Sequence, residues 1–151
     1  MLFRSSAIRA RIRSPRMRAL YDAWGRDGAP LPTIDELMPA IEEVSDNVFL
    51  AEFVGKAQFS EMRFVTTGKN LRTSRPRFDV TLGEGGGRDI PGTVEATCRR
   101  CARLREPMYE FSTLGTGARD EPILERLFLP CSQDGKSVTH VVGMSIFNDV
   151  D

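Results

Sequence analysis

The chain predicts an α+β fold, a five-stranded antiparallel sheet whose strands are split two and three around a helical insertion, with helices packed on one face. Three observations carry this expectation. Apolar residues recur at helical spacing up to Val44 and at strand spacing from Asn47 onward. A glycine-rich, irregular stretch over 68–92, followed by one helical segment, divides the strand-forming runs into a pair and a trio. Asp134-Gly135 between two apolar runs signals an antiparallel connection near the C-terminus.

The elements follow in order. Arg18–Trp24 reads as the end of a helix, with Leu20, Tyr21 and Trp24 at helical spacing and Gly25 and Gly28 closing it. Residues 29–32 form a stiff, extended link. Thr33 and Glu36 have capping-box spacing ahead of a helix with the apolar stripe Ile34, Leu37, Met38, Ile41 and Val44, which Pro39 should bend or shorten. From Asn47, NVFLAEFV reads as the first strand and Gly55–Ser60 as a hairpin loop. EMRFVTT is the second strand, and strict alternation places Met62, Phe64 and Thr66 on one face. Arg72, Arg75, Arg77 and the run Gly83-Glu84-Gly85-Gly86-Gly87 fill the irregular stretch. Pro91–Arg105 reads as a helix stopped by Glu106-Pro107, its apolar stripe being Val94, Cys98, Cys101 and Leu104. Met108–Gly115, Ile123–Ser132 and Val138–Phe147 are the last three strands.

At 151 residues and 40% hydrophobic content, the chain suits one domain with one core. No apolar run approaches the roughly 18 residues that would span a bilayer. The net charge of zero predicts no specific nucleic-acid binding. Charge is nonetheless uneven. Residues 1–20 hold Arg4, Arg9, Arg11, Arg13, Arg16 and Arg18 and no acid, leaving 15 basic against 21 acidic residues in the remainder. Residues 1–17 therefore read as a basic N-terminal extension and 18–148 as the domain. The same composition also suits a transit peptide, or an arm touching phosphate or anionic lipid. Three cysteines without a secretory signal point to a reducing cytoplasm rather than a disulfide framework.

Leu20-Tyr21-Asp22-Ala23-Trp24, the Leu31-Pro32 link into Ile34-Asp35, Arg63-Phe64-Val65 and Arg105-Glu106-Pro107, taken in this order, resemble a PAS domain, and most nearly a divergent family of short, stand-alone PAS-like proteins of alphaproteobacteria. The closing RLFLPCSQDGKSVTHVVGMSIF, with Gly143 in its last β run, is the most specific match. The resemblance covers roughly residues 18–148. Thr66 stands where that family tends to place glycine, so a pocket there is expected to be smaller or differently shaped. What the resemblance implies is a PAS-like fold and a sensing or regulatory role, with no named ligand.

Each motif that suggests chemistry has a plainer reading. Cys98-x-x-Cys101 falls late in its helix and on the apolar stripe, whereas a redox pair needs its first sulfur at a helix N-terminus. The pair reads as buried and structural. Adding Cys131 and His140 makes four ligand types for zinc, but the second pair is spread across a hairpin, so zinc is not expected. His140, the only histidine, is the only imidazole for haem ligation. Near a strand start beside a polar turn, it reads instead as a hydrogen-bonded structural residue. The 83–87 glycine run lacks the Lys-Ser/Thr of a phosphate loop and reads as a flexible loop, with a mobile lid as the alternative. No catalytic set assembles, so no enzyme is expected.

A ligand cavity between sheet and helices would be lined, by strand alternation and helix stripe, by Phe64, Thr66, Cys98, Tyr109, Phe111 and Met144. The functional expectation is a PAS-like sensory module that binds a small molecule or a signalling protein. It would signal by conformational change, or by homodimerisation through the N-terminal helix or the sheet face. The alternative is a ligand-free protein–protein adaptor of PAS shape.

Overall fold

The structure is a computed structural model and describes residues 5–25, 30–54, 58–59, 61–73, 94–113 and 123–147. Helices α1 (Ser5–Arg11), α2 (Pro15–Trp24) and α3 (Ile34–Glu43) lead through a 3₁₀ turn at Ser45–Asn47 into β1 (Val48–Val54) and β2 (Glu61–Thr67). A short helix, α4 (Lys69–Thr73), and α5 (Val94–Leu104) precede β3 (Met108–Thr113), β4 (Ile123–Cys131) and β5 (His140–Phe147). Among the described residues the strand pairings are antiparallel, and β1 to β5 form one sheet in the order β2-β1-β5-β4-β3. The chain therefore crosses from one sheet edge to the other between β2 and β3, which is where the two-plus-three split put the helical insertion.

Helices cover both faces of this sheet, not the single face expected. On one face α1, α2 and α3 pack Ile8, Ile12, Met17, Leu20, Trp24, Leu37 and Ile41 against Leu50, Leu127, Leu129, Val142 and Met144. On the other, α4 and α5 pack Leu71, Val94, Cys98 and Cys101 against Phe49, Ala51, Phe128 and Val141. The cause is visible in the strands. Val48–Ala51, Leu127–Leu129 and Val141–Val142 are contiguous apolar runs, and successive side chains point to opposite faces, so neither face can be left to water.

The N-terminal layer also starts earlier than expected. The boundary placed at residue 18 falls inside α2, which begins at Pro15 behind an Ser14 N-cap whose hydroxyl accepts from the Met17 amide. Ile8, Ile12 and Met17 belong to the same buried cluster as the sheet. Trp24 Nε1 donates to the Pro130 carbonyl at 2.7 Å and so ties the far end of α2 to β4. The 30–33 link runs beside the end of β4, with Ser132 N donating to Pro32 O and Ile34 N to Ser132 O. Thr33 and Glu36 form the reciprocal capping box read from their spacing. Helix α3 passes through Pro39 for ten residues, because the hydrogen bond that proline deletes lies on the exposed side with Asp35.

Two further elements differ from the sequence expectation. A register shift between Leu50 and Ala51 sets Phe64 opposite Ala51 but Thr66 opposite Leu50. This β-bulge breaks the alternation, so Phe64 and Thr66 face opposite sides of the sheet. In α5, Val94, Cys98 and Cys101 are buried as expected, but Leu104 is 42% exposed. At 3.6 residues per turn Leu104 lies about 80° around the helix from Val94 on the side away from Cys98, whereas Ala102, about 80° round on the Cys98 side, is buried. Gly83–Gly87, Arg75 and Arg77 fall outside the described residues, as does any lid they would form.

Gly143 is required where it stands. A Cβ there would lie 1.9 Å from Cε2 of the Phe49 ring, which covers the glycine and packs edge-on against Phe64 and Phe128.

Candidate functional site

Strands β3 and β4 are apolar strands interrupted by charge. Tyr109-Glu110 and Glu125-Arg126 are consecutive pairs, so each sends one polar side chain to either face of the sheet. The two faces carry different constructions.

On the face beneath α5, Glu110, Arg126 and Ser145 are Cα partners across β3, β4 and β5 and form one row. The Arg126 side chain is only 1% exposed, and its Nη1 lies 3.7 Å from Glu110 Oε2. That is within ion-pair range, though longer than the roughly 2.7–2.9 Å of a direct charge-assisted bond. Thr97 of α5 also hydrogen-bonds the Glu110 carboxyl. Burial raises the Glu110 pKa above the ordinary carboxyl value, and Arg126 opposes that shift. Glu110 Oε2 and Ser145 Oγ are buried and make no hydrogen bond among the described residues. Polar atoms in that position cost of the order of 1–3 kcal/mol unless something satisfies them.

On the opposite face Glu125 clasps the N-terminal helices. Its carboxylate accepts from the Arg13 amide at 2.8 Å, the Ser14 amide at 3.1 Å and the Tyr109 hydroxyl at 2.6 Å. The Tyr109 hydroxyl also lies 3.1 Å from the Arg11 carbonyl. Burial first, and the Glu125 carboxylate second, push the Tyr109 phenol far above its usual range, so it stays protonated and donates. The turn between α1 and α2 is thereby fixed to β3 and β4 by a buried acid.

The six residues expected to line one cavity are divided between these faces. Phe64 and Cys98 lie on the α5 side, where Phe64 stacks edge-on with Phe49 at 5.4 Å and is 39% exposed. Tyr109 and Met144 belong to the N-terminal cluster, and Phe111 on the same side lies under the Arg13 guanidinium at 5.5 Å. Thr66 is exposed opposite Leu50. The structure brings Phe64 and Cys98 into one layer and does not bring the other four to it. Glu110, Arg126, Ser145 and Glu125 were not among the residues singled out. For Glu110, Glu125 and Arg126 the signal was present as charges inside the strands MYEFST and ILERLFLPC, where solvated loops would ordinarily hold them; Ser145, in HVVGMSIF, carried no such signal.

The cysteines are free and buried. Cys98 and Cys101 sit in the α5 cluster and Cys131 in the N-terminal cluster, on opposite sides of the sheet. Burial holds the Cys98 and Cys101 thiols far above the ordinary range and pushes Cys131 up to about 12. Among the described residues no group of three or more His, Cys, Asp or Glu side chains converges on a metal position. His140 opens the central strand β5, with Nδ1 2.7 Å from Thr139 Oγ1 and Nε2 3.4 Å from Glu52 Oε2. Burial lowers its pKa and Glu52 works against that.

Much of the basic head is used internally. Arg9 pairs with Asp22, Arg16 reaches Asn47, and Arg18 donates to the Ile12 carbonyl. No helix among the described residues is long and apolar enough to cross a membrane. Set beside known proteins, the chain matches no family model, no curated protein and no solved structure.

Proposed function

We propose that this chain is a PAS-like regulatory module that binds a small ligand between α5 and the sheet and passes the event to its N-terminal helices. The observation that carries the reading is the double construction of β3 and β4. A buried polar row, Glu110–Arg126–Ser145, lies on one face, and the residues next to it, Tyr109 and Glu125, hold α1 and α2 on the other. A shift of the two strands at the row must move the clasp, since adjacent residues share one backbone. The single sheet with strands split two and three around a helical crossing agrees with the PAS resemblance. Binding rather than catalysis is favoured by the engaged state of the one histidine and the high thiol pKa values of all three cysteines.

A specific observation favours the second reading, a ligand-free adaptor. Phe64 and Val65 on edge strand β2 are 39% and 46% exposed, and an apolar edge is a surface on which another chain docks. A thermal-shift screen of metabolites on the full chain separates the two. A ligand at about 100 times its Kd stabilises by roughly 2.7 kcal/mol, and a saturable rise in Tm supports the sensor. No rise with any compound, together with partner capture abolished by Phe64→Ser, supports the adaptor.

A further inference from the structure

We propose that copies of this chain stack head to tail, the basic outer face of α5 in one copy docking on the acidic outer face of α3 in the next. The proposal goes beyond the ligand-binding reading and stands or falls separately from it.

The two helices lie on opposite sides of the sheet, α3 in the N-terminal layer and α5 in the other. They have ten and eleven residues, so each presents a face about 15 Å long. Helix α3 carries four acids, Asp35, Glu36, Glu42 and Glu43, and no base. At about 100° per residue, Asp35, Pro39, Glu42 and Glu43 fall within an arc of about 100° on the side away from Leu37. All four are exposed, whereas Leu37 is buried. On α5, Arg100, Arg103 and Leu104 share an arc of about the same width, on the side away from buried Cys98. Arg103 and Leu104 are exposed and Arg100 is half-buried.

Bonds within the chain engage the neighbouring charges and pass these over. Arg99 is taken up by Glu95 and the Phe59 carbonyl, and Arg105 by the Lys136 carbonyl. Glu36 closes the capping box with Thr33, and Asp46 pairs with Lys69. The ion pairs and side-chain hydrogen bonds among the described residues include none at Asp35, Glu42, Glu43, Arg100 or Arg103. Glu42 and Glu43 also end α3 with no basic residue in its last turn, where the helix dipole disfavours negative charge. Local stability therefore does not account for them.

Charge complementarity commits the two faces to each other. A second copy supplies the arginines with an acidic helix face of matching length, and Pro39 and Leu104 add apolar contact. Because the patches lie on opposite sides of the sheet, each docking leaves one of them free at either end. The contact is heterologous, and with the patches back to back it builds an open stack instead of a closed pair.

Sedimentation equilibrium of the full chain tests this at about 0.01 M and about 1 M NaCl, between which the Debye length falls from about 30 to about 3 Å. Expected at low salt is a weight-average mass that rises with concentration past twice the 16.9 kDa of one chain, and at high salt the mass of one chain. Glu42→Arg with Glu43→Arg, and separately Arg100→Glu with Arg103→Glu, should each weaken self-association about tenfold or more, by setting like charges face to face. An equimolar mixture of the two variants should restore it, since each offers the face that the other lacks. The α3 reversal removes charges that the helix dipole disfavours, so that variant folds and decides the point alone if the other does not. The mass of one chain at every salt and concentration would overturn the stack, and is the result expected if the α5 face serves an acidic partner of another kind. A complex that stops at two copies, association that the reversals leave intact, or a mixture no larger than its separate components would overturn it equally.

Discussion

Replacing Glu125 by Gln removes one charge from the clasp and almost no volume. The native carboxylate accepts three hydrogen bonds, from the amides of Arg13 and Ser14 and the hydroxyl of Tyr109. A Gln side chain keeps one acceptor oxygen and turns its NH₂ group towards either backbone donor, so at least one N–H is left facing another donor in a site only 3% exposed. Hydrogen bonds to a charged group contribute about 1.5–3 kcal/mol each. Losing one, and weakening the rest to neutral strength, should cost roughly 2–4 kcal/mol. For a chain of this size each kcal/mol moves Tm by about 2–4 °C, so the expected drop is roughly 5–15 °C. Urea denaturation gives the stability change, and amide hydrogen exchange locates it. Arg13 and Ser14 should exchange fastest relative to the parent, with α1 and the start of α2 following. Tyr109→Phe should be milder, about 1 kcal/mol, and the double variant should cost less than the sum, since both substitutions act on one network. A loss under about 0.5 kcal/mol, or faster exchange spread evenly over the sheet, would refute the view that Glu125 holds the N-terminal helices.

Gly143→Ala should cost about 2–3 kcal/mol by urea denaturation, because its methyl group would occupy the Phe49 ring position and overpacking of a filled core costs about that much; Phe49→Leu in the same chain should recover part of the loss. His140 titrates in the fold below its ordinary value of 6.5, because burial disfavours the charged ring. The unfolded chain then takes up that proton first, so the contribution is complete above pH 6.5 and is lost as pH falls through the folded pKa. His140→Gln should therefore flatten the fall in the urea midpoint between neutral and mildly acidic pH. Asp134 has the same sign at lower pH. The amides of Lys136 and Ser137 and the Ser132 hydroxyl hold it at about 2, against an ordinary 3.8. Its contribution, present above pH 3.8, is lost on acidification through pH 2, and Asp134→Ala should remove that limb of the curve.

The sheet was legible because each strand advertises itself locally. NVFLAEFV, ILERLFLPC and VTHVVGMSIF are dense in β-branched and aromatic residues, and the breaks between them are rich in Gly, Pro and Asp. The second helical layer was hidden by the same density. A run such as Phe128-Leu129 has an apolar neighbour on each face, and alternation offers no hint that one face is to be left to solvent. The basic head misled for a different reason. Its six arginines mask an Ile8, Ile12 and Met17 stripe whose burial depends on a partner, Glu125, that lies more than a hundred residues away. The bulge at Leu50/Ala51 had no sequence mark, and it alone separates Phe64 from Thr66. Glu110, Arg126 and Ser145 become a group only once the strand register is known, since nothing local tells a buried strand charge from an exposed one.

The central claim is that the buried row under α5 and the clasp on the opposite face respond as one unit. Amide hydrogen exchange on Glu110→Gln tests it most directly, because this change alters the row alone and leaves Glu125 and Tyr109 in place. Coupling predicts that exchange at Arg13 and Ser14 rises several-fold relative to Val142 in the central strand. An unchanged ratio, with effects confined to α5 and the strands beneath it, would contradict it.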